Sequence, residues 1–188
     1  MEALFVSTLV VAVSELGDKT QLLALLLAAR FRRPVPIILG IACATVANHA
    51  IAGVAGASVR SAVGPELLRW LLGASFFAIA LWALVPDKLE QETQPAGRYG
   101  AFLVTLVAFF FAEMGDKTQL ATAMLAAKYG ALVQVVAGST LGMLCADVPA
   151  VLLGNAVRSL PFKAVRLGAA VLFAALGAAV LLGHFALA

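Results

Sequence analysis

Charged residues are scarce in this chain of 188 residues, and polar segments between its apolar stretches are short. Charged residues make up 12% of the sequence and hydrophobic residues 63%, which leaves too little polar surface for a soluble domain of this length. A soluble globular fold is therefore excluded, and an integral membrane protein is predicted. Because no low-complexity segment or long linker divides the chain, we expect a single membrane domain over residues 1–188.

Other signals are missing as well, and each absence narrows the function. The two cysteines, Cys43 and Cys145, lie in no spacing typical of a metal or redox site. No run of like charges marks a nucleic-acid surface, so no nucleic-acid partner is expected. No phosphate-binding motif ending in Gly-Lys-Ser/Thr is present, which argues against nucleotide hydrolysis as the energy source. The start of the chain lacks the basic segment of a signal peptide, so the first span is expected to be retained.

Apolar stretches long enough to cross a bilayer recur along the chain. A hydrocarbon core of about 30 Å takes about 20 helical residues. The sequence predicts six such transmembrane helices, over residues 3–29, 35–59, 67–85, 101–127, 131–157 and 167–187. The predicted fold class is therefore an all-α integral membrane protein. The longest polar stretch, residues 87–99, is predicted to be a central cytoplasmic loop.

One charged octet occurs twice, 98 residues apart, with seven of eight positions identical. The copies are Glu15-Leu16-Gly17-Asp18-Lys19-Thr20-Gln21-Leu22 and Glu113-Met114-Gly115-Asp116-Lys117-Thr118-Gln119-Leu120. Further matches at this offset, such as Gly40 with Gly138, predict a duplicated three-helix unit, with repeats over residues 1–86 and 100–188. Because three is odd, the second repeat starts on the opposite side of the membrane. The repeats are therefore predicted to have inverted topology, a plan common among transporters.

The distribution of lysine and arginine predicts the orientation. One predicted side of the membrane holds Arg30, Arg32, Arg33, Lys88, Arg98, Arg158, Lys163 and Arg166, and the other holds Arg60, Arg69 and Lys128. Because cytoplasmic loops carry the excess of basic residues, the first group is predicted to be cytoplasmic. Both termini then lie on the non-cytoplasmic side of the cell inner (plasma) membrane.

Each octet places two carboxylates near the middle of a predicted span, where an ionised acid costs about 2.5–3.5 kcal/mol. Glu15 and Asp18 share one face of a helix, and Glu113 and Asp116 do the same. If the octets meet at mid-depth, these acids form a set of hard oxygen ligands that suits Ca²⁺, Mn²⁺ or Mg²⁺. Further neutral ligand oxygens are predicted from Thr20, Gln21, Thr118 and Gln119.

The two octets together carry a formal charge of −2, because four acids face two lysines. One divalent cation or two protons neutralise this charge, so metal and protons are predicted to compete for the same carboxylates. Lys19 and Lys117 are expected either to pair with an acid or to extend to a membrane interface. Gly17 and Gly115 permit a local break, so an unwound turn is predicted there, with an unbroken helix as the alternative.

A second polar set occurs at the same offset of 98 residues. It consists of His49, with Asn48 beside it, and Asp147, all near the middle of predicted spans. These residues are candidates for a proton pathway, because intramembrane ionisable groups often mark one. Hydrogen bonding within the helix bundle is an equally good interpretation of them.

The doubled Glu-x-Gly-Asp-Lys-Thr motif, in a six-helix chain with a central loop, resembles the GDT-type family of cation/proton exchangers. That family is also called transmembrane protein 165 or uncharacterised protein family 0016. The resemblance implies export of Mn²⁺, with Ca²⁺ in some members, in exchange for protons by alternating access. It implies that Glu15, Asp18, Glu113 and Asp116 form one central site. No resident cofactor is expected, since the metal is the transported ligand, and the expected partners are metal, protons and the lipid bilayer.

Two other functions compete with this interpretation. A proton-coupled exporter of a cationic amino acid is one, because a carboxylate cluster also suits an ammonium group. A membrane-embedded lipid-phosphate enzyme is the other, and it ranks lower. Such an enzyme needs cationic groups at the reacting phosphate, whereas the predicted midplane holds more acid than base and no arginine.

Overall fold

The computed structural model describes residues 1–85, 100–153 and 162–183. These residues form eight α-helices, and no strand occurs among them. The helices are α1 (Glu2–Glu15), α2 (Lys19–Phe31), α3 (Pro34–Ala62), α4 (Pro65–Ala83), α5 (Ala101–Glu113), α6 (Lys117–Tyr129), α7 (Leu132–Leu153) and α8 (Phe162–Leu181). The predicted central loop over residues 87–99, which contains Lys88 and Arg98, lies outside the described residues, as does Arg158.

Two of the predicted spans are each divided into two helices. The span over residues 3–29 is α1 and α2, and the span over residues 101–127 is α5 and α6. The glycine in each break has a positive φ, 80° at Gly17 and 79° at Gly115. Glycine adopts this backbone conformation without the steric cost that a Cβ imposes. The unwound turn predicted at both glycines is therefore confirmed.

The other four predicted spans are each a single helix, α3, α4, α7 and α8. Proline at the first position of α3 and of α4 supplies a backbone already set for a helix start. By length and composition, α3, α4 and α7 are suited to cross a membrane, whereas α5 and the apolar part of α8 (Arg166–Leu181) are shorter. The chain is thus an all-helical protein with several membrane-spanning candidates. Six spans of inverted topology stay a prediction.

Helices at equivalent positions of the two repeats pack in equivalent ways. α1 packs on α7, and its counterpart α5 packs on α3. Similarly, α2 packs on α7 and α6 packs on α3, while α3 also contacts α7. The broken helix of each repeat therefore lies against the long helix of the other repeat. This exchange of partners brings the two breaks to the centre of the bundle.

Glycines in the long helices permit this packing. A Cβ on Gly138 of α7 would collide with the carbonyl oxygen of Leu4 in α1. A Cβ on Gly40, the counterpart in α3, would lie 2.8 Å from the carbonyl oxygen of Phe102 in α5. Contacts shorter than van der Waals distance would push each helix pair apart, so only glycine allows the backbones to approach this closely.

The pair formed by α4 and α8 departs from the two-fold pattern. α4 packs on α6, and α8 packs on α1. In the parts of the chain that the structure describes, α8 makes no contact of similar extent with α2, and α4 makes none with α5. The α4–α8 pair is therefore placed over one side of an otherwise symmetric arrangement.

A hydrogen-bonded chain ties the beginning of α1 to the end of α6. Lys128 Nζ donates to Tyr129 Oη at 3.1 Å, and Tyr129 Oη donates to Glu2 Oε1 at 3.0 Å. Burial lowers the pKa of Lys128 to about 8, although the nearby Glu2 carboxylate raises it. The position equivalent to Glu2 in the second repeat is Gly100, which has no side chain to form such a bond. This connection is thus specific to the predicted non-cytoplasmic end.

We expect Gly138→Ala to lower the thermal unfolding temperature in detergent, because the added methyl group overpacks the contact between α1 and α7. Overpacking of this kind costs about 1–3 kcal/mol. Gly168→Ala in α8 is the matched control, since a Cβ there meets no atom within 4 Å. Alanine favours a helix interior over glycine by about 0.5–1 kcal/mol, so the control is expected to be neutral or stabilising. Equal unfolding temperatures for the two variants would contradict the close-packing argument.

Candidate metal site

The two helix breaks face each other, and their four carboxylates converge. One oxygen from each of Glu15, Asp18, Glu113 and Asp116 lies within 4.8 Å of the others, and all four residues are buried. The structure thus brings together the four acids that the octets contribute. Two come from each repeat, so neither repeat alone forms the cluster.

Each of these acids lies at a helix terminus. Glu15 and Glu113 are the last residues of α1 and α5, and Asp18 and Asp116 are the N-cap residues of α2 and α6. The partial negative charge at a helix C-terminus stabilises a cation, whereas the partial positive charge at an N-terminus stabilises an ionised carboxylate. The broken helices therefore favour a cation held between ionised aspartates.

Threonine hydroxyls orient the two glutamates. Thr20 Oγ1 donates to Glu15 Oε2 at 2.7 Å, and Thr118 Oγ1 donates to Glu113 Oε2 at 3.0 Å. The other oxygen of each glutamate, and Oδ2 of Asp116, is buried without a hydrogen-bond partner among the described residues. Because a buried polar atom without a partner is costly, these oxygens are suited to hold a proton or a cation.

The two lysines form ion pairs that cross between the repeats. Lys117 Nζ donates to Asp18 Oδ1, and Lys19 Nζ lies 3.4 Å from Asp116 Oδ1. The sequence left open whether these lysines pair with an acid or extend to a membrane interface. The structure shows pairing with the aspartate of the opposite octet.

The glutamines of the octets bond to the backbone of their own helix breaks. Gln21 Oε1 accepts a hydrogen bond from the Gly17 amide at 3.0 Å, and Gln119 Oε1 accepts one from the Gly115 amide at 2.6 Å. The glutamines thus satisfy backbone amides that the helix breaks leave without a partner. The ligand role predicted for their side-chain oxygens stays a prediction.

The amide nitrogens of the same glutamines reach across to the long helix of the other repeat. Gln21 Nε2 donates to the carbonyl oxygen of Ala146 in α7 at 3.1 Å. Gln119 Nε2 donates to the carbonyl oxygen of Asn48 in α3 at 3.5 Å. Ala146 and Asn48 are equivalent positions, so both breaks are tethered in the same way. Sequence reasoning missed this role, although the identical spacing of the two glutamines was a signal for it.

His49 and Asp147 follow directly after these two tethered positions. Both are buried, and neither the ring nitrogens of His49 nor the carboxylate oxygens of Asp147 have a hydrogen-bond partner among the described residues. Asp147 follows Ala146, whose carbonyl oxygen accepts the bond from Gln21, so Asp147 belongs to the part of α7 that is tethered to the first break. Asn48, in contrast, donates to the carbonyl oxygen of Phe110 in α5 at 2.9 Å. Hydrogen bonding within the helix bundle was one of the two interpretations of His49, Asn48 and Asp147, and it is observed for Asn48.

A cleft between α1, α4 and α8 leads to the first break. It is lined by Val13, Ser14, Leu16, Gly17, Asp18, Ala83, Lys117, Arg166 and Ala169. Ala83 at the end of α4 and Arg166 near the start of α8 belong to the predicted cytoplasmic ends of these helices. The cleft therefore lies between the predicted cytoplasmic side and the Asp18–Lys117 pair, whose side chains are buried.

Comparisons with known proteins agree with a duplicated chain. The family model described as "Divalent cation/proton antiporter GDT1" matches residues 3–91 and 101–187, and each matched segment contains one octet. A protein of Vibrio cholerae serotype O1 named "Putative manganese exporter" is 51% identical over 156 residues, which cover 82% of this chain and 78% of that protein. No solved structure matches this chain.

We expect Gln21→Leu to lower the free energy of unfolding by about 1–3 kcal/mol, because the Gly17 amide and the Ala146 carbonyl both lose their partner. Gln134→Leu is the control, since Gln134 lies exposed on α7 and bonds only weakly, at 3.4 Å, to the N-terminal amine. Thermal unfolding in detergent measures both variants. A loss no larger than that of the control would show that Gln21 does not secure the break.

Proposed function

The chain belongs to the family of divalent cation/proton antiporters, and from this premise we propose that it exports Mn²⁺ in exchange for protons. Family membership makes it a membrane transport protein rather than an enzyme, which removes the lipid-phosphate alternative. The relative from Vibrio cholerae, named as a manganese exporter, supports Mn²⁺ as the cargo. We place the protein in the cell inner membrane with both termini on the non-cytoplasmic side.

The cluster of four buried carboxylates carries this proposal. Like charges that lie within 4.8 Å of one another repel strongly away from water, and two lysines compensate only half of them. The remaining charge of −2 is balanced by one divalent cation or by two protons. Metal and protons thus compete for the same oxygens, which is the physical basis of exchange.

The chemistry of the ligands favours a hard cation. Carboxylate oxygens suit Mn²⁺, Ca²⁺ and Mg²⁺, and the described residues of the cluster offer no thiolate or imidazole for a softer metal. We propose Mn²⁺ as the main cargo and Ca²⁺ as a second one. The hydroxyls of Thr20 and Thr118 hold the glutamates in place for either ion.

Asp147 and His49 are proposed as the proton pathway beside the metal site. Both are buried without a partner among the described residues, and Asp147 adjoins Ala146, whose carbonyl oxygen is bonded to Gln21 of the first octet. A buried carboxylate next to the metal ligands is suited to receive the protons that the incoming metal displaces. Asn48 positions α3 against α5 through its bond to the Phe110 carbonyl.

We propose alternating access between two inverted repeats as the transport mechanism. Discontinuous helices that meet near the membrane midplane are common at the sites of secondary transporters. The cleft lined by Leu16, Asp18 and Arg166 is the place where we propose that the cytoplasmic entry opens, since the Lys117–Asp18 pair there is buried in this structure. The six-span topology, in which α1–α2 and α5–α6 each form one interrupted span, belongs to this proposal.

We expect Glu113→Gln combined with Asp116→Asn to abolish Mn²⁺-dependent proton flux in proteoliposomes, because the second octet then has no anionic ligand. Glu66→Gln, an exposed acid in the first turn of α4, is the control and is expected to exchange normally. Intact exchange by the double variant would refute the proposed site. Proton flux driven by lysine or arginine instead of Mn²⁺ would favour an amino-acid exporter.

We expect Asp147→Asn to keep equilibrium Mn²⁺ binding within about threefold of the wild type while slowing exchange by about 10²-fold, a typical contribution of a positioned proton-transfer group. Binding is measured by calorimetry in detergent, and exchange by proton flux in proteoliposomes. Loss of Mn²⁺ binding would identify Asp147 as a fifth ligand instead. Unchanged exchange would remove it from the proton pathway.

A further inference from the structure

We propose that Lys19 and Lys117 are tethered counter-cations that the cargo must displace, and that the two lysines serve opposite halves of the transport cycle. This inference rests on the proposed function. It adds a role for residues that are not ligands of the metal. It also assigns the two octets different states in one structure.

The lysines occupy the same carboxylates that would bind a metal. Lys117 Nζ bonds Asp18 Oδ1, and Lys19 Nζ lies 3.4 Å from Asp116 Oδ1. A divalent ion would need ligand oxygens at about 2.0–2.6 Å. The ligand oxygens lie within 4.8 Å of one another, so a divalent ion among them would lie close to both ammonium groups and repel them. Loading of the metal therefore drives each lysine away from its aspartate.

The position of each lysine in its own helix does not explain its presence. Lys19 and Lys117 are the first residues of α2 and α6, and neither helix has an acid in its first turn. A cation is unfavourable at this end, where the helix carries a partial positive charge. Each lysine follows the N-cap aspartate of its own helix, but its ammonium group pairs with the aspartate of the opposite repeat. The lysines therefore stabilise the contact between the two repeats and do not stabilise the helices that carry them.

The two ion pairs are unequal. The side chains of Lys117 and Asp18 are 5% and 0% exposed, whereas the side chain of Lys19 is 28% exposed. Two identical octets would give equal pairs if their surroundings were also equal. One pair is thus closed and the other partly open in this structure.

The inequality has a visible cause in the α4–α8 pair. Ala83 of α4 and Ala169 of α8 form a buried cluster against Val13, next to the first break. Among residues 1–85, 100–153 and 162–183, no equivalent buried cluster of α4 and α8 covers the second break, and Met114 is exposed there. The closed lysine pair is therefore the one on which α4 and α8 lie.

In a transporter built from two inverted repeats, the opposite state is reached when each repeat takes up the surroundings that the other repeat had before. In that state, α4 and α8 would cover the second break, so Lys19–Asp116 would become the closed pair and Lys117–Asp18 the open one. The lysine withdrawn by the metal stays near the site, and its charge balances the loaded site. Each lysine then stabilises one of the two states.

Mn²⁺ binding at equilibrium tests the displacement. We expect Lys19→Gln and Lys117→Gln each to bind Mn²⁺ more tightly, by at least about tenfold, because a competing unit charge near the ligands is removed. Both are expected to exchange Mn²⁺ for protons more slowly, since the empty site loses its compensating cation. Lys19→Arg and Lys117→Arg retain the charge and are the matched controls, with affinity near that of the wild type.

Cysteine labelling tests the opposite roles. Leu16→Cys and Met114→Cys, at equivalent positions beside the two glycines, are made in a chain with Cys43 and Cys145 replaced by serine. In wild-type background without metal, we expect an impermeant thiol reagent to modify Met114→Cys faster. Lys117→Gln is expected to raise labelling at position 16 and lower it at 114, and Lys19→Gln to do the reverse.

Folded glutamine variants that bind Mn²⁺ with unchanged or weaker affinity would overturn the displacement. Labelling that shifts in the same direction for both variants would overturn the opposite roles. If Lys117→Gln does not fold, Lys19→Gln alone tests both points. It should bind Mn²⁺ more tightly than the wild type, and it should lower labelling at position 16 and raise it at position 114. A wild-type protein that does not bind Mn²⁺ would instead contradict the proposed function, so the two failures are distinguishable.

Discussion

The need to compensate four carboxylates buried in an apolar bundle is the constraint on which the rest of this structure depends. Two lysines from opposite repeats, two threonine hydroxyls and four helix termini all act on Glu15, Asp18, Glu113 and Asp116. A charge removed from water is stable only when such partners are placed accurately. The helix breaks supply the free helix termini and the space that this cluster needs, and a continuous helix would supply neither.

Duplication supplies this compensation in a way that one repeat alone does not. The aspartate of each octet pairs with the lysine of the other octet, and the glutamine of each octet is bonded to the long helix of the other repeat. Glycines such as Gly138 and Gly40 bring the backbones close enough for these bonds. The same contacts that hold the bundle together therefore assemble the site, so stability and function are not separable at these positions.

Much of the arrangement was predictable from the sequence because repetition carries spatial information. The doubled octet predicted the helix breaks at Gly17 and Gly115, and its acids were expected to meet. The partner of Lys19 was not predictable, since the acid it contacts lies 97 residues away and Asp18 is its neighbour in the chain. The glutamines were predicted as ligands because their amide oxygens are ordinary metal donors, and their bonds to the backbone amides of the breaks were not predictable without knowing the path of the chain there.

The asymmetric position of α4 and α8 follows from a property that no repeat pattern contains. The two repeats surround one charged cluster, so each helix break offers a similar surface to the α4–α8 pair. Because there is one such pair of helices, it covers one break at a time. Covering the first break closes Lys117–Asp18 and leaves Lys19 more exposed. If the proposed alternating access holds, the nearly identical octets contribute little to the free-energy difference between the two placements, and residues that differ between the repeats, such as Glu2 and Gly100, set it. On that proposal, near-symmetry at the cluster permits two states, and departures from symmetry outside it decide which one is favoured.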